Sequence, residues 1–331
     1  MNYKMDELIN QCPKLADITG ETVLIFGGSG SLGTEVIQRW ISTNHIINVS
    51  RDEEKQWRLK MKIQHSNLKQ MIGDISQESD VTQAILTHKP TMICIFACLK
   101  HIDLCELYPA KSISNNTNGI MNVHTVLQKY ESSHHVSRVL FVSTDKACLP
   151  ITTYGCTKAI SEFFLQGIAP GMVKWVGIRY GNVLNSSGSI IPYLQANGPT
   201  DKPYTLTHPE MTRFIMTLSH SVNLIEYALE HGKHNEIVIP FIYSMKIADL
   251  FSIFEKKFNK NRIVIGLRCK EKIHEDLISV SEANHTYKKG AYYHITPSPV
   301  SNTDVHPFDS SQHIIACDQL LAYLASQSLL D

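Results

Sequence analysis

Four ionisable side chains lie close together near the middle of the chain: Asp145, Lys146, Tyr154 and Lys158. They follow an apolar run over 139–142 that predicts a buried strand, so they stand at its carboxyl end. Tyr154 and Lys158 have the i, i+4 spacing that places two side chains on one face of a helix. A carboxylic acid, a phenol and two amines at one strand end exceed what a fold requires. They indicate an enzyme that moves several protons within one site.

A glycine-rich loop near the N-terminus predicts a dinucleotide site. An apolar run over 22–26 leads into Gly27-Gly-Ser-Gly-Ser-Leu-Gly33, and a helical pattern follows. Glycines spaced G-x-x-G-x-x-G let the backbone turn tightly and approach a pyrophosphate, while the helix N-terminus supplies amide donors and a positive dipole. The strand before and the helix after favour this interpretation over a plain turn. The candidate cofactor contacts in the loop are Gly27, Ser29, Gly30, Ser31, Leu32 and Gly33.

The second predicted strand indicates which nicotinamide cofactor is bound. An NAD site usually has an Asp or Glu there, which accepts from the ribose 2′-OH. This strand ends instead in Ser50-Arg51, a hydroxyl and a guanidinium that suit the 2′-phosphate of NADP, although an inward carboxylate at Asp52 would repel that phosphate. The sequence therefore predicts NADP. Asp74 and Ile75 follow the third predicted strand and are candidate adenine contacts, unless Asp74 faces solvent in a turn.

Composition indicates an intracellular globular protein. The 331 residues suffice for one large core with an attached lobe. Lys plus Arg and Asp plus Glu both number 31, which gives no sign of nucleic acid or of an acidic membrane surface as partner. No apolar stretch approaches the roughly 18 to 20 residues that span a bilayer, and no signal-peptide core is present, so we expect a cytoplasmic protein outside the membrane. The eight cysteines match no zinc or redox spacing, which predicts reduced thiols and no metal site.

Short β-branched runs alternate with longer helical patterns along the chain. This alternation predicts an α/β fold with a doubly wound parallel sheet, in which crossover helices join parallel strands. The predicted strands are 22–26, 46–50, 68–73, 92–96, 138–142 and 173–180, with later strands at 236–240 and 262–265 that return to the sheet. The predicted helices are 32–43, 78–88, 110–130 and 154–166.

Two loop-rich stretches after the sixth strand predict a smaller lobe. Residues 181–202 are rich in Gly, Ser, Asn and Pro, and residues 266–306 show little regular pattern. The predicted division is an N-terminal extension at 1–19, a Rossmann cofactor domain at 20–181 plus about 235–265, and a C-terminal substrate lobe at 182–234 plus 266–331.

The glycine loop, Tyr154-x-x-x-Lys158 and the chain length together resemble the extended short-chain dehydrogenase/reductases (SDRs) that act on nucleotide sugars. Within that group the chain resembles the soluble, C5-inverting UDP-N-acetylglucosamine 4,6-dehydratases of pseudaminic acid and related deoxy-sugar pathways. Asp145-Lys146 is the discriminating pair, because related dTDP-glucose 4,6-dehydratases carry Asp-Glu there and 4-epimerases lack such a pair. The segments that carry the resemblance are Ala97-Cys-Leu-Lys-His101, Ser143-Thr-Asp-Lys-Ala147, Arg179-Tyr-Gly-Asn-Val183, Gly188-Ser-Ile-Ile-Pro192 and Pro209-Glu-Met-Thr-Arg-Phe214.

The resemblance implies oxidation at C4, loss of water across C5–C6, and return of the hydride to C6. Tyr154 would take the O4 proton, and Lys158 would stabilise the phenolate and hold the nicotinamide ribose. Thr144 or Ser143 would hydrogen-bond the sugar or the phenol. Lys146 would be the base at C5 and Asp145 the acid at the leaving O6. Those two roles require a neutral amine and a protonated acid, so we expect burial to shift both pKa values in those directions. The plain alternative for the pair is an ion pair on a loop surface.

The resemblance also implies contacts for the UDP-sugar, in which two arginines clamp the diphosphate and Glu271 accepts from the uridine ribose. The donor that reprotonates C5 is open between Lys100 and His101. The usual Arg-Pro-Gly-Glu-Lys is Arg268-Cys-Lys-Glu-Lys272 here, without the Pro-Gly turn. The implied substrate contacts are Lys100, Asn182, Arg213, Arg268 and Glu271. With the positions above, the cofactor contacts beyond the glycine loop are Ser50, Arg51, Asp74, Ile75, Ala97, Lys100, Tyr154 and Lys158.

Two other functions fit parts of the pattern. A UDP-sugar 4-epimerase needs Tyr154 and Lys158 but gives Asp145-Lys146 no task. A catalytically inactive NADP-binding regulatory protein is the second alternative, and the intact Tyr154 and Lys158 argue against it. Relatives of the resembled family assemble into dimers or hexamers, so a homo-oligomer is expected.

Overall fold

The computed structural model describes residues 12, 18–186, 188–301 and 303–330. The strands of the described residues are β1 (Thr22–Phe26), β2 (His45–Ser50), β3 (Leu68–Ile72), β4 (Met92–Ile95), β5 (Arg138–Val142), β6 (Lys174–Ile178), β7 (Asn182–Val183), β8 (Tyr204–Leu206), β9 (Thr212–Met216), β10 (Glu236–Pro240), β11 (Ser244–Lys246), β12 (Arg262–Val264), β13 (Asp276–Ile278), β14 (Thr286–Lys289), β15 (Tyr292–Ile295) and β16 (Phe308–Asp309).

Helices connect these strands and cover the sheet. In chain order they are α1 (Ser31–Trp40), α2 (Glu53–Lys62), α3 (Glu78–His88), α4 (Ile102–Leu107), α5 (Pro109–Ser112), α6 (Asn118–Lys129), α7 (Thr153–Gln166), α8 (Ile190–Asn197), α9 (Leu218–His231), α10 (Ile247–Phe258), α11 (Val280–Ala283) and α12 (Cys317–Ser326). A π-helical turn (Ile113–Thr117) precedes α6, and a 3₁₀ turn (Asp145–Ala147) precedes α7.

The main sheet of the described residues has the strand order β14-β15-β10-β6-β5-β4-β1-β2-β3. The seven strands from β10 to β3 are parallel, while β15 and β14 pair antiparallel at one edge. The chain passes outward from β1 to β2 on one side and to β4 on the other, so a crevice opens beyond the carboxyl ends of these strands. The predicted α/β doubly wound parallel sheet is confirmed.

Apolar side chains bury both faces of this sheet. On one face Val36 of α1 and Leu224 of α9 pack against inward residues of the strands, and on the other Val81 of α3, Val123 of α6 and Leu165 of α7 do so. Alternate residues of β1 point to opposite faces, as the period of a strand requires. This double burial fixes the strand ends that carry the candidate site.

A third core lies outside the main sheet. It joins α8, α10 and α12 through buried residues such as Leu194, Phe254 and Tyr323. Three small sheets surround it or border it, in the orders β11-β9-β7, β12-β8 and β13-β16. The segments that make up this lobe come from separated parts of the sequence, and they include α10, which was predicted to belong to the cofactor domain. The predicted division into two domains stays a prediction.

Several elements differ from the sequence prediction. The strand at 262–265 was expected in the main sheet, which is wrong: β12 pairs with β8 in a separate two-stranded sheet. Within 266–306, where little regular structure was expected, β14 and β15 form a hairpin on the edge of the main sheet. Helix α2 was not predicted, because it has no apolar stripe and exposes charged side chains on most of its surface. The helix predicted at 110–130 is interrupted by the π-helical turn.

No helix in the described part of the chain is long and apolar enough to cross a membrane. The eight cysteines form no disulfide with one another. Among the described residues, no cluster of three or more His, Cys, Asp or Glu side chains is placed to hold a metal ion.

Candidate active site

The turn after β5 presents an acid and an amine on a fixed backbone. Asp145 N–H donates to the carbonyl of Tyr180 (2.9 Å), which ties the turn to the chain after β6. Thr144 Oγ1 accepts from the backbone N–H of Lys146 (3.4 Å) and donates to Asp145 Oδ1 (2.8 Å), so one hydroxyl both caps the turn and orients the carboxylate. Asp145 is buried, and its Oδ2 has no hydrogen-bond partner among the described residues. A buried carboxylate oxygen without a partner is available to a ligand.

Lys146 lies between two carboxylates. Its Nζ is 3.1 Å from Asp145 Oδ1 and 3.3 Å from Glu275 Oε1, and Arg213 Nε lies 3.7 Å from the same Glu275 oxygen. Burial by itself lowers the pKa of Lys146, but the two carboxylates outweigh burial and Arg213, so the pKa is raised. The expectation that burial makes this amine neutral is therefore wrong for the protein without ligand. The sequence could not show Glu275, whose contribution decides the sign together with Asp145.

Helix α7 carries the phenol and the second amine on one face. Burial raises the pKa of Tyr154 well above its usual range, and Cys98 and Asp145 add to this, while a hydrogen bond with Thr144 acts in the opposite direction. Burial lowers the pKa of Lys158, whose Nζ lies 4.0 Å from the centre of the Phe141 ring. In the absence of ligand the phenol is thus strongly protonated. Thr144 links it to the acid of the neighbouring turn.

A glycine lets α7 approach this turn closely. A Cβ on Gly155 would lie 2.2 Å from the backbone oxygen of Lys146, closer than any real contact. The helix starts after its cap residue Thr152, whose Oγ1 accepts from the backbone N–H of Gly155 (3.0 Å). Glu106 accepts from the backbone N–H of Thr153 (2.6 Å). The backbone contact brings Tyr154 beside the Asp145–Lys146 turn.

The π-helical turn holds an amide behind the same helix. Asn116 Oδ1 accepts from Leu99 N–H (2.7 Å), and its Nδ2 donates to the Leu99 carbonyl (3.0 Å) and to Thr157 Oγ1 (3.1 Å). One side chain therefore joins α7 to the loop after β4, which contains Ala97 and Lys100. Such π-helical turns occur frequently at functional sites.

A cavity of about 550 Å³ opens at the crevice between the loops after β1 and β4. Gly27 has φ +89°, and a Cβ there would lie 2.6 Å from the backbone nitrogen of Ala97, so the two loops approach as only glycine allows. The N-terminus of α1 faces the same cavity. The predicted cofactor contacts that line it are Gly27, Ser29, Gly30, Ser31, Leu32, Gly33, Ser50, Arg51, Asp74, Ile75, Ala97, Lys100 and Tyr154. Lys158 is buried behind this lining.

At the far end of the cavity, polar groups follow β2. Ser29 Oγ donates to Ser50 Oγ (3.0 Å), and Arg51 Nη1 lies 3.4 Å from Asp74 Oδ2. Asp52, which could have repelled a phosphate, caps α2 by accepting from Lys55 N–H (3.0 Å) and pairs with the Lys55 ammonium (3.1 Å). Ser50, Arg51 and Asp52 all line the cavity, and the Asp52 carboxylate is paired with Lys55 of its own helix.

A second cavity of about 370 Å³ adjoins the first, and Lys100 and His101 line both. Asn182 lines it and has a buried Oδ1 with no partner within the described structure. The predicted substrate contacts Lys100, Asn182, Arg213, Arg268 and Glu271 all line this cavity, and so does Lys146. The Asp145–Lys146 turn and the predicted substrate contacts are thus brought together.

Two of these predicted contacts are engaged with the protein itself. The Arg213 guanidinium donates to the carbonyls of Thr212 (2.6 Å), Lys272 (2.9 Å) and Ile273 (3.0 Å), which fixes the segment that carries Glu275. Glu271 accepts from the backbone N–H of Arg268 (3.1 Å), closing the loop between them. The binding roles of both residues stay predictions.

The loop over 268–272 is held although the usual Pro-Gly turn is missing. Lys270 takes the left-handed backbone conformation, with φ +62°, at the position of that glycine. Its ammonium pairs with Glu106, the residue that also accepts from the N-terminus of α7. Sequence alone did not single out Glu106, since this contact joins two loops far apart in the chain.

Similarity to known proteins agrees with this arrangement. A family model described as "Polysaccharide biosynthesis protein" matches residues 23–297. A protein of Rickettsia typhi named UDP-glucose 4-epimerase is 35% identical over 298 residues, which cover 86% of this chain and 85% of that protein. The structure of Pen from Bacillus thuringiensis superposes with a TM-score of 0.87 at 25% identity, over 95% of this chain and 99% of Pen. DesIV of Streptomyces venezuelae, a dTDP-glucose 4,6-dehydratase with NAD and TYD bound, shares the fold at 16% identity, with a TM-score of 0.67 over 76% of this chain and 86% of DesIV.

The doubly wound sheet, the glycine loop and the Tyr154–Lys158 helix define an extended SDR of the type formed by nucleotide-sugar dehydratases and epimerases. The family match spans most of the chain. The chain therefore belongs to the polysaccharide biosynthesis protein family.

Proposed function

We propose that the protein is an NADP-dependent UDP-N-acetylglucosamine 4,6-dehydratase that inverts C5. The observation that carries the proposal is the position of the Asp145–Lys146 turn. Thr144 and Tyr154 line the cavity with the glycine loop, whereas Lys146 lines the adjoining one with Arg268. A redox pair and an acid–base pair that meet where two cavities join fit a reaction with both oxidation and elimination.

The first cavity suits a dinucleotide. The close approach of Gly27 to Ala97 and the N-terminus of α1 would hold the pyrophosphate, and Ser50 and Arg51 would contact a 2′-phosphate. Bound NADP would supply a hydride acceptor at C4 and later a hydride donor at C6. The preference for NADP over NAD rests on Arg51 and on the neutralised Asp52, although DesIV is described with NAD.

Oxidation at C4 requires a base on O4, and Tyr154 is placed for it. Its high pKa means that the phenolate has to be stabilised when the site fills. Lys158, one helical turn away, would stabilise the phenolate with its ammonium, although burial lowers the pKa of that ammonium. The Thr144 hydroxyl joins Tyr154 to Asp145 through hydrogen bonds.

Elimination requires a neutral Lys146 and a protonated Asp145. Lys146 Nζ lies 3.1 Å from Asp145 Oδ1, and transfer of one proton between them gives the neutral amine and the protonated acid together. This transfer also removes two buried charges. Lys146 then takes the C5 proton, and Asp145 protonates the leaving O6. Lys100 and His101 line both cavities and remain the candidate donors for reprotonation of C5.

A UDP-sugar 4-epimerase is the second candidate. The observation in its favour is the name of the relative from Rickettsia typhi, UDP-glucose 4-epimerase, at 35% identity. Epimerisation needs Tyr154 and Lys158 but leaves the buried Asp145–Lys146–Glu275 cluster without a role.

Incubation with UDP-N-acetylglucosamine and NADP tests the proposal, with products followed by mass spectrometry. Loss of one water supports the dehydratase, an isomer of unchanged mass supports the epimerase, and no turnover of UDP-N-acetylglucosamine or UDP-glucose contradicts both.

A Lys146→Ala variant tests the role of the base. We expect dehydration to fall by roughly 10²-fold or more, while oxidation at C4 continues and reduced cofactor accumulates in a single turnover. Lys246→Ala is the matched control, since Lys246 pairs with Glu210 on the surface. Full dehydration by Lys146→Ala would refute the assignment of the base.

A further inference from the structure

Glu275 joins the catalytic lysine to the lobe. Its side chain is 6% exposed and lines the second cavity. One oxygen, Oε1, lies 3.3 Å from Lys146 Nζ and 3.7 Å from Arg213 Nε. The backbone N–H of Glu275 donates to Ser310 Oγ (2.9 Å), so the residue is held from both ends.

Inversion at C5 poses a specific problem for the base. After Lys146 takes the C5 proton, the new ammonium still faces the side of C5 from which the proton came. If it returns that proton, C5 keeps its configuration. An inverting enzyme therefore needs a group that holds the proton on the base until another donor acts from the opposite side.

We propose that Glu275 is this group: as the second carboxylate on Lys146, it retains the abstracted proton on Nζ and commits C5 to inversion. The inference rests on the proposed dehydratase function. In the step, the C5–H bond breaks and its proton passes to the Nζ lone pair, while its electron pair forms the C5=C6 double bond as the C6–O6 bond breaks and O6 leaves as water with the Asp145 proton. Return of the hydride to C6 then places an electron pair on the enolate that C5 shares with the C4 ketone. The proton that later forms the new C5–H bond comes from an acid on the opposite side.

The charges around Lys146 favour this role. Asp145 has given its proton to O6 by then, so the ammonium lies between two carboxylates, and Arg213 Nε lies 3.7 Å from Glu275 Oε1. These contacts raise the pKa of Lys146 against the effect of burial. From α7, Tyr154 interacts with Asp145. The other charged or titratable groups that line the cavity are Lys100, His101, Asp103, Arg268, Cys269, Lys270, Glu271 and Lys272.

The test is the C5 configuration of the product made by Glu275→Gln, measured by NMR against the wild type. Glutamine keeps the shape of the side chain but removes its charge, so the share of product that retains the original C5 configuration should rise. The rise should be about tenfold if the pKa of Lys146 falls by one unit. Glu275→Asp keeps a carboxylate one methylene further away and should give an intermediate share. Glu210→Gln, the same change on a surface carboxylate paired with Lys246, should match the wild type.

The outcomes separate this inference from the proposed function. Absence of water loss in the wild type would contradict the dehydratase itself. Water loss with the wild-type configuration ratio in any folded, active Glu275 variant would overturn the role of Glu275 alone. Glu275→Asp supplies this answer even where Glu275→Gln does not fold, as judged by circular dichroism.

Discussion

Lys146 shows how a residue acquires its chemistry from neighbours distant in sequence. Its charge depends on Asp145 beside it and on Glu275 from the lobe, and burial alone would have given the opposite shift. The proton therefore lies on the Lys146 amine, whereas the proposed elimination requires it on the Asp145 carboxylate. Proton transfer from Lys146 to Asp145, rather than burial, gives the neutral amine and the protonated acid that elimination requires.

At the cofactor site, a single guanidinium should decide between NADP and NAD. Arg51→Ala removes a charge-assisted contact to the 2′-phosphate worth about 1.5–3 kcal/mol, so the Kd for NADP should rise about 10- to 100-fold. The Kd for NAD should change little, since NAD has no such phosphate. Isothermal titration with both cofactors measures this.

Arg58→Ala is the control for charge, because Arg58 lies on the exposed side of α2 and pairs with Glu54. Tighter binding of NAD than NADP by the wild type would contradict the assignment of Ser50 and Arg51.

At the scale of elements, helix α7 and the turn after β5 form one unit. Gly155 packs on the Lys146 carbonyl, Thr144 links Tyr154 to Asp145, and Asn116 holds α7 to the loop after β4. The predicted redox pair (Tyr154 and Lys158) and the predicted acid–base pair (Asp145 and Lys146) are therefore positioned by contacts between backbones and short side chains.

Gly155→Ala should move the Asp145–Lys146 turn away from Tyr154 and Lys158 on α7. The new methyl group would meet a backbone oxygen that cannot move aside cheaply, so the Asp145–Lys146 turn has to shift. We expect dehydration to fall by roughly 10²-fold, as misplacement by about 1 Å does in other active sites. Gly171→Ala is the control, because a Cβ there meets nothing within 4 Å. Equal dehydration rates for the two variants, from product mass spectra, would refute the importance of this contact.

At the scale of the whole molecule, a buried ion network joins β6 and α7 to the segment that contains β13 and α11. Arg179, which follows β6, donates to Glu162 of α7 (3.0 Å), to the Leu277 carbonyl of β13 (2.8 Å) and to Glu282 of α11 (2.7 Å). Cys148, after the catalytic turn, contacts the second oxygen of Glu282. Loss of one partner of a buried network of this kind usually costs several kcal/mol.

This network should make stability depend on acid pH. Burial raises the pKa of Glu282, but Arg179 and the Ser279 hydrogen bonds outweigh it and lower the pKa to about 2. Because the folded pKa is depressed, the contribution is complete above the unfolded pKa of about 4.3 and disappears as pH falls toward 2. Glu282→Gln should therefore lose up to about 3 kcal/mol of unfolding free energy at neutral pH, with a difference that shrinks below pH ~4.

Urea unfolding of the wild type and Glu282→Gln across this pH range measures the difference. Glu54→Gln, in an exposed pair, should show a small change at all pH values. A Glu282→Gln deficit that stays constant down to pH ~3 would contradict the network.

The sequence contains enough local information for the main sheet and the glycine loop, because both depend on short-range patterns. The strands β1, β5 and β10 and the helix α3 have the predicted bounds. Glu275 and Glu106 were missed because their partners lie on other loops, and the pairing of β12 with β8 likewise depends on tertiary contacts. Helix α2 was missed because its charged surface carries no apolar period.

Turnover of UDP-N-acetylglucosamine in D2O tests the central claim most directly, since it reports elimination and inversion together. The proposed mechanism predicts a product that has lost one water, carries deuterium from solvent at C5 and has the inverted C5 configuration by NMR. A product of unchanged mass with hydrogen retained at C5 would contradict it, because the Asp145–Lys146 pair would then have taken no part in the reaction.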